Sequence, residues 1–172
     1  MELHNVEQRS KEWFDLRLGK VGGSEAISLT TPARMKNLVN VKLAEILTGQ
    51  AEQVFVNDAM QYGIDTEPIV VSLYEKEQFI STTEIGGVSN KDYPRAFLSP
   101  DRLVGNNGAL EIKCPQPKSY IDMVLNAYDE TKKGFNKIPS VYRPQLGSYF
   151  LMMPNLEWVD FVAYNEFVSL KA

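Results

Sequence analysis

Residues 101–113 constrain the fold of this chain more than any other segment. The turn-forming residues GNNG at 105–108 are flanked by apolar pairs, which predicts a β-hairpin. Because successive side chains of a strand point to opposite faces, Glu111 and Lys113 lie on one face of the second strand and Ile112 on the other. The carboxylate and the ammonium group therefore share one site on the predicted sheet.

The register of this hairpin decides where Asp101 lies. A turn centred between Asn106 and Asn107 places Asp101 opposite Ile112, one residue away from Glu111. A β-bulge or a slight register offset would bring the two carboxylates together. The sequence therefore favours a paired acidic site at the base of the hairpin.

Two carboxylates and a lysine in one place suit the hydrolysis of a phosphodiester. Mg²⁺ prefers hard oxygen ligands, so Asp101, Glu111 and the carbonyl of Ile112 form a candidate metal site. Lys113 would orient or help to deprotonate the attacking water and offset charge on the phosphate. A surface hairpin with an ordinary Glu–Lys pair explains the same short pattern equally well, because these residue types are common.

Further motifs along the chain separate these two interpretations. They are WFDLRLG at 13–19, GGSE at 22–25, GIDTEP at 63–68, LSPD at 98–101, LEIKCP at 110–115 and YRPQ at 142–145. In this order they resemble the lambda exonuclease (YqaJ-type) family of phage recombination exonucleases, within the PD-(D/E)xK nucleases. The resemblance runs from about Arg9 to Tyr164. It implies a single exonuclease domain over residues 1–172, with a restriction-endonuclease-like α/β fold in which helices flank a central mixed sheet.

The resemblance also implies the residues of a catalytic centre. Asp101 and Glu111 match the metal-binding carboxylates, and Ile112 matches the residue whose carbonyl is a further ligand. Lys113 matches the catalytic lysine. Glu67 matches an additional helix-borne acid near the metals.

Other matched residues concern the water and the DNA end. Gln145 matches a glutamine that helps to hold the nucleophilic water, and Arg17, Ser24 and Ser99 match residues that recognise a terminal 5′-phosphate. One departure is visible, because relatives often carry a second glutamine where this chain has Gly147. The chain also ends soon after residue 164, where relatives commonly continue into a further strand and helix, so the expectation of a ring-shaped trimer is weaker.

The implied activity is a Mg²⁺-dependent 5′→3′ exonuclease on double-stranded DNA, with Mn²⁺ as a substitute ion. It would release 5′-mononucleotides from 5′-phosphorylated ends and leave a 3′ single strand, with a single-strand annealing protein as its partner. The alternatives are an endonuclease, which an end-phosphate pocket at Arg17 and Ser24 disfavours, and a non-catalytic DNA-binding recombination accessory protein. The intact set of Asp101, Glu111 and Lys113 disfavours the latter.

The charge balance limits how such a chain would hold DNA. A net charge of −4 predicts local contacts rather than bulk attraction to DNA. The candidate basic patches are Arg9, Lys11, Arg17 and Lys20 near the start, and Lys132, Lys133 and Lys137 after a predicted helix.

Composition excludes several other classes. The single cysteine, Cys114, excludes an internal disulfide and a four-thiolate iron–sulfur site, and we expect it to be a small buried residue beside the active-site strand. His4 is the one histidine, which disfavours a zinc site or a histidine-based triad. Apolar runs fall short of the roughly 20 residues that cross a bilayer, and the start lacks a signal-peptide pattern. We expect no membrane association and a location in the host cytoplasm.

Helix signals occur at both ends of several segments. Ser10 and Gly19 bound a first helix, and Ser24 is the predicted N-cap of a short second helix. The helix that ends at Gly49 has an apolar face that is predicted to pack against the core. This face consists of Met35, Val39, Leu43 and Ile46/Leu47. A further helix is predicted to begin near Asp65 or Thr66 with Pro68 in its first turn, which places Glu67 at a helix N-terminus. The remaining predictions are helices at 119–133 and 142–153, and strands at 79–83, 96–99, 103–104, 109–113 and 158–164.

Overall fold

The computed structural model describes residues 1–52, 55–129, 134–135 and 138–168. The helices are α1 (Lys11–Arg17), a 3₁₀ helix (Gly23–Thr30), α2 (Pro32–Thr48), α3 (Asp58–Gln78), α4 (Pro117–Ala127) and α5 (Arg143–Met152). The strands are β1 (Glu2–His4), β2 (Val21–Gly22), β3 (Thr82–Thr83), β4 (Gly87–Ser89), β5 (Ala96–Phe97), β6 (Arg102–Val104), β7 (Gly108–Lys113), β8 (Tyr128–Asp129), β9 (Gly134–Phe135) and β10 (Trp158–Ala163). None of the helices in these ranges is long and apolar enough to cross a membrane.

The central sheet has four strands in the order β10-β7-β6-β3. Strand β10 runs parallel to β7, whereas β6 is antiparallel to both β7 and β3, so the sheet is mixed. Further strands form the two-stranded pairs β1-β4, β2-β5 and β8-β9. The predicted α/β fold with helices around a central mixed sheet is confirmed.

Strand β7 separates two hydrophobic clusters, because its side chains alternate between the two faces of the sheet. Ala109 joins a cluster that includes Tyr149 of α5. Leu110 and Ile112 join the other cluster, which includes Val70 of α3. The central strand is thus packed between α5 on one face and α3 on the other, and the next side chain on the α5 face is that of Glu111.

The register of the β6–β7 hairpin differs by one residue from the predicted register. Val104 pairs with Gly108 and Arg102 with Leu110, so the loop contains three residues rather than being centred on a pair. Gly105 opens this loop with a φ of +57°, a conformation that glycine adopts at little cost. Continued by one residue, the observed register sets residue 101 opposite residue 111, which brings the two acidic residues side by side.

The first predicted helix is confirmed, but the second has a different cap. In α1 the hydroxyl of Ser10 accepts a hydrogen bond from the backbone N–H of Trp13 at 3.2 Å. The 3₁₀ helix is capped by Gly22, and the carboxylate of Glu25 accepts the Gly22 N–H at 2.7 Å. Ser24 therefore lies inside the first turn of this helix and is not its N-cap, because a carboxylate supplies the capping interaction.

The predicted packing face of α2 is wrong. The helix itself is observed, and it ends at Gly49 in a left-handed conformation. It buries Leu38 and Glu45 instead of the predicted residues. The residues of the predicted face are 44–77% exposed and are Met35, Val39, Leu43, Ile46 and Leu47. Their spacing correctly indicates an apolar helix face, but the described residues leave this face exposed.

Helix α3 begins at Asp58, well before the predicted start. Pro68 therefore lies inside the helix, where it cannot donate to the carbonyl of Ile64. Glu67 consequently lies in mid-helix, and the predicted stabilisation by a helix N-terminus is wrong. The proline had suggested a first turn, but the helix extends on both sides of it because Val70, Val71 and Tyr74 are buried in the core.

Several other predicted bounds shift. Phe79 ends α3 in a left-handed conformation, so the strand predicted at 79–83 shrinks to β3. The helix predicted at 119–133 is observed as α4 and ends at Ala127, while 130–133 lie outside the described residues. Lys132, Lys133 and Lys137, the second basic patch, also lie outside them.

Candidate active site

Asp101 and the centre of β7 are joined by a short hydrogen bond. The Ile112 N–H donates to the Asp101 carboxylate at 2.6 Å. Burial, together with the neighbouring charges of Glu111 and Glu67, raises the pKa of Asp101 well above its ordinary value. Three acidic groups from three different elements are therefore close enough to destabilise one another's charge.

Glu111 is the most enclosed of these acids, with 1% of its surface exposed. Its Oε1 accepts a hydrogen bond from Nε2 of Gln145 at 2.6 Å and also contacts the Lys113 ammonium. Its Oε2 accepts one from the hydroxyl of Tyr149 at 2.5 Å. Every oxygen of this buried carboxylate is thus bound, which fixes its position relative to β7 and α5.

Tyr149 belongs to this network, although the sequence analysis did not select it. The residue follows Gln145 by four positions, so both side chains lie on the same face of α5. Burial and the contact with Glu111 raise the pKa of the Tyr149 hydroxyl, which therefore acts as a donor. The four-residue spacing from Gln145 was the sequence signal that could have identified it.

Lys113 provides the positive charge beside these carboxylates. Burial alone would lower the pKa of its ammonium group, but the ion pair with Glu111 and the charge of Asp101 outweigh burial and raise it. The Lys113 ammonium also lies 5.5 Å from the centre of the Tyr142 ring. In this structure Lys113 is therefore a charged donor.

The carbonyl of Ile112 faces the acidic side of the strand. The Tyr164 N–H donates to the carbonyl of Lys113 at 2.9 Å, so the backbone groups of Lys113 face β10. Those of the preceding residue face the other way, as the bond from the Ile112 N–H to Asp101 shows. The Ile112 carbonyl thus has the orientation that the resemblance implies for a metal ligand.

Glu67 approaches this group from α3. Burial raises the pKa of its carboxyl group, while nearby Arg102 opposes the shift. The Arg102 guanidinium lies 3.6 Å from the Glu67 carboxylate and 3.5 Å from that of Glu84, and it donates to the Asp101 carbonyl at 2.6 Å. Arg102, which the sequence analysis did not select, therefore ties the mid-helix acid to the start of β6.

The donor set fits a hard divalent cation. Carboxylate and carbonyl oxygens are the ligands that Mg²⁺ prefers, and the mutual repulsion of Asp101 and Glu111 would be relieved by a cation between them. Among residues 1–52, 55–129, 134–135 and 138–168, no three His, Cys, Asp or Glu side chains converge in a metal-binding cluster. An ion here would take Asp101, Glu111 and the Ile112 carbonyl, with water completing its coordination, as Mg²⁺ commonly does.

A cleft of about 1000 Å³ connects this acidic group with residues from the start of the chain. Its lining includes Glu67, Asp101 and Lys113 of the acidic group together with Arg17 and Ser24 from the start of the chain. Glu111, Gln145 and Ser99 do not line it. The structure thus brings most of the predicted site residues to one surface, with Glu111 and Gln145 packed behind it.

Arg17 is held in the cleft by stacking. Its guanidinium lies 4.1 Å from the centre of the Trp13 ring. A Cβ at Gly22 would lie 2.7 Å from the same guanidinium, so a larger residue there would displace Arg17 from its observed position. Burial lowers the pKa of Arg17, but the group remains charged. Within the described residues its N–H groups have no hydrogen-bonding partner, so they are available to an anion.

Ser99 is linked to this position through Trp13. The indole N–H of Trp13 donates to the Ser99 hydroxyl at 3.0 Å and to the Gly86 carbonyl at 2.9 Å. Because the hydroxyl accepts this bond, its own proton remains free to donate. Ser24, by contrast, is exposed on the cleft wall.

An ion network from α2 supports the loop that follows Arg17. The buried Glu45 carboxylate accepts the Gly19 N–H at 2.9 Å, and Lys42 lies 3.3 Å from the same carboxylate. Lys42 also pairs with Glu25 at 2.9 Å, and Glu25 in turn binds Gly22. The network was not identified from sequence, because its partners come from separate elements.

Cys114 was predicted to be a small buried residue, but it is only partly buried and lines the cleft. Burial and the nearby charges of Glu67 and Asp101 raise the pKa of its thiol to about 11. Since only the thiolate is alkylated, we expect the metal-free protein to react with iodoacetamide at pH 7 at least tenfold more slowly than an unperturbed cysteine of pKa ~8.5. Measured from pH 7 to 10, the rate should still be rising at pH 10; a plateau below pH 9 would contradict this.

Gly147 lies on the outer face of α5. It shares that face with the exposed Phe150 and Leu151, whereas Gln145 and Tyr149 face Glu111. A Cβ at Gly147 would meet nothing within 4 Å. The absence of a second glutamine here therefore removes nothing from the hydrogen bonds of Glu111.

The fold and the carboxylate–lysine arrangement define an α/β protein of the nuclease class. The chain belongs to the YqaJ-like viral recombinase domain family, whose profile matches residues 12–152. No curated protein sequence matches it significantly.

Solved structures give the same assignment. The alkaline exonuclease LHK-Exo from Laribacter hongkongensis superposes with a TM-score of 0.81 at 30% identity, over 93% of this chain and 76% of that one. The same enzyme in complex with dAMP gives the same values. A phage-related exonuclease from Haemophilus somnus 129PT shares the fold, with a TM-score of 0.61 at 17% identity over 84% and 68% of the two chains.

Proposed function

We propose that this chain is a Mg²⁺-dependent 5′→3′ exonuclease, acting as one domain on the 5′-phosphorylated ends of double-stranded DNA. The observation that carries the proposal is the cleft in which Asp101 and Lys113 share a surface with the guanidinium of Arg17, which has no hydrogen-bonding partner among the described residues. Its products would be 5′-mononucleotides and a 3′ single strand. The complex of LHK-Exo with dAMP, a deoxynucleoside monophosphate, supports this product class.

In the proposed mechanism, one group of cleft residues holds the metal ion and activates water, and another binds the DNA terminus. Asp101, Glu111 and the Ile112 carbonyl would hold Mg²⁺, which lowers the pKa of bound water and stabilises charge on the phosphate. Lys113 donates to the attacked phosphate or to the water, and Gln145 keeps Glu111 oriented. Glu67, which also lines the cleft, would supply a further carboxylate near that site.

The 5′ terminus of the DNA would be recognised by the cleft residues from the start of the chain. The planar guanidinium of Arg17 suits two phosphate oxygens, and the hydroxyl of Ser24 on the cleft lining would donate to the same anion. Ser99 does not line the cleft and would act on this site through Trp13, whose indole N–H its hydroxyl accepts. Stacking on Trp13 fixes the direction of the guanidinium before DNA arrives. A pocket for a terminal phosphate favours an exonuclease over an endonuclease, because phosphates inside a duplex carry no free terminus.

One digestion experiment tests this proposal. Linear duplexes with 5′-phosphate or 5′-hydroxyl ends, and a closed circle, are incubated with the protein in Mg²⁺, Mn²⁺ or Ca²⁺. We expect mononucleotides from the linear duplexes in Mg²⁺ and Mn²⁺, faster with 5′-phosphate, and an intact circle. Ca²⁺ should allow binding with little cleavage, because its looser coordination aligns water and phosphate poorly. Cleavage of the circle would favour the endonuclease alternative, and no cleavage at all would favour the accessory protein.

We further propose that the chain forms a homo-oligomer, by resemblance a trimeric ring around duplex DNA. The exposed apolar face of α2 supports this, because Leu47 is 77% exposed and has apolar neighbours on the same helix. Sedimentation at micromolar concentration should show a species larger than the monomer, and Leu47→Glu together with Leu43→Glu should shift it to the monomer. A wild-type monomer, with DNA present, would exclude the ring.

The proposed activity also implies a substrate, a location and a partner. The substrate would be phage DNA in the host cytoplasm, and the 3′ strand produced would pass to a single-strand annealing protein. Release of that strand in the digestion experiment is the necessary condition for such a partner.

A further inference from the structure

Gly63 lies in the second turn of α3, inside the helix, where glycine is among the least favourable residues. Its backbone does not require glycine, because the positive-φ glycines of the described chain are Gly19, Gly49 and Gly105. Packing against the described residues does not require glycine either, since a Cβ at this position would meet none of their atoms within 4 Å. Neither the backbone conformation nor contacts with the described residues explain the glycine.

The position of Gly63 in the cleft suggests another reason. Met60, Gly63, Ile64 and Glu67 all line the cleft, and their spacing of three and four residues places them on one helix face. Four residues separate Gly63 from Glu67, a rise of about 6 Å along the helix. The open space beside Gly63 is therefore part of the path that leads to the acidic group.

We propose that Gly63 keeps this wall of the cleft open for the scissile DNA strand, whose sugar–phosphate backbone lies directly against the α3 backbone at this turn. A separation of about 6 Å corresponds to roughly two nucleotides, because each nucleotide of a duplex strand rises about 3.4 Å. Glycine permits an approach that any side chain would block. The inference rests on the proposed function, since it takes DNA as the occupant of the cleft.

Two substitutions separate this role from a structural one. Alanine and leucine both favour helix more than glycine does, so Gly63→Ala and Gly63→Leu should raise the melting temperature by about 2–4 °C. The same variants should lower kcat/KM on 5′-phosphorylated duplex, by about tenfold for Ala and by roughly a hundredfold or more for Leu, the loss that a displacement of about 1 Å can cause. The Kd for the duplex in Ca²⁺ should rise in the same order.

Gly147 provides a matched control. It is also interior to a helix, also has nothing within 4 Å of its Cβ position, and does not line the cleft. Gly147→Ala and Gly147→Leu should therefore raise the melting temperature similarly and leave kcat/KM within about twofold of the wild type.

The outcomes distinguish this inference from the proposed function. Gly63→Leu with the wild-type kcat/KM and Kd would overturn the inference alone. So would a loss of activity accompanied by a fall in melting temperature, because the glycine would then serve folding. A wild-type protein that neither cleaves nor binds duplex DNA would overturn the proposed function, and the inference with it.

Discussion

Asp101→Ala is expected to lower kcat/KM for duplex cleavage about a thousandfold or more while the protein stays folded. The carboxylate is the acid that β6 places against the Ile112 N–H and beside Glu111. Losing its share of the metal site should remove about 4 kcal/mol or more of transition-state stabilisation. The folded state loses one hydrogen bond but also a buried like-charge repulsion, so its free energy of unfolding should change little.

Glu111→Ala should be equally inactive but far less stable. Its carboxylate has three partners, and removing it leaves the Lys113 ammonium and the Tyr149 hydroxyl without an acceptor. Breaking a buried ion pair from one side costs about 3–5 kcal/mol. Urea denaturation should therefore separate the two variants, although their nuclease assays look alike.

The control for both is Asp122→Ala. Asp122 lies exposed on α4 and pairs only with Lys118 among the described residues, so its removal should leave cleavage and stability within error of the wild type. Full activity of Asp101→Ala would refute the proposed metal site. Equal stability of Asp101→Ala and Glu111→Ala would refute the assigned role of the Glu111 network.

Arg17→Ala should abolish the preference for 5′-phosphate over 5′-hydroxyl ends more than it lowers the rate on hydroxyl ends. Its guanidinium is already stacked on Trp13, so it loses little freedom on binding a phosphate, and none of the described residues accepts a hydrogen bond from its N–H groups. A charge-assisted contact of about 1.5–3 kcal/mol, if made in the transition state, corresponds to roughly a ten- to hundredfold rate difference on phosphorylated ends. Rates on the two kinds of duplex, measured at the same Mg²⁺ concentration, give the preference directly.

Two further variants make this result specific. Arg17→Lys keeps the charge but not the planar fork, so it should recover only part of the preference. Lys118→Ala removes an exposed cation that does not line the cleft and should leave the preference unchanged. Equal slowing on both kinds of end would assign Arg17 to general DNA binding or to helix packing instead.

The fold class and the acid–lysine strand could be predicted because their signals are local. The alternation of Glu111, Ile112 and Lys113 and the turn at 105–108 are properties of neighbouring residues, and both are observed. The one-residue error in register came from loop geometry: Gly105 adopts a positive φ, which makes the loop three residues long. A symmetric two-residue turn and this three-residue loop would have the same amino-acid sequence, so composition could not distinguish them.

Predictions that depended on distant partners were less successful. The apolar spacing on α2 indicated a helix correctly, but periodicity cannot say whether a face is covered by the same chain. Pro68 indicated a helix start, yet burial of Val70 and Tyr74 in the core holds a helix across it. Tyr149 contacts Glu111, Arg102 contacts Glu67 and Glu45 contacts Gly19. Each of these pairs is 26 or more residues apart, so only the folded chain brings its members together.

The parallel pairing of β7 with β10 also bears on when the proposed activity can begin. Trp158 pairs with Gly108 and Ala163 with Lys113, a separation of 50 residues at every rung. Pairings so distant in sequence close late in folding, because the intervening loop must first lose its entropy. The hairpin with Asp101 and Glu111 is translated long before its parallel neighbour leaves the ribosome. A nascent chain would therefore carry the proposed catalytic residues without the finished sheet that aligns them, and we expect the proposed DNA cleavage to begin only after synthesis has passed residue 163.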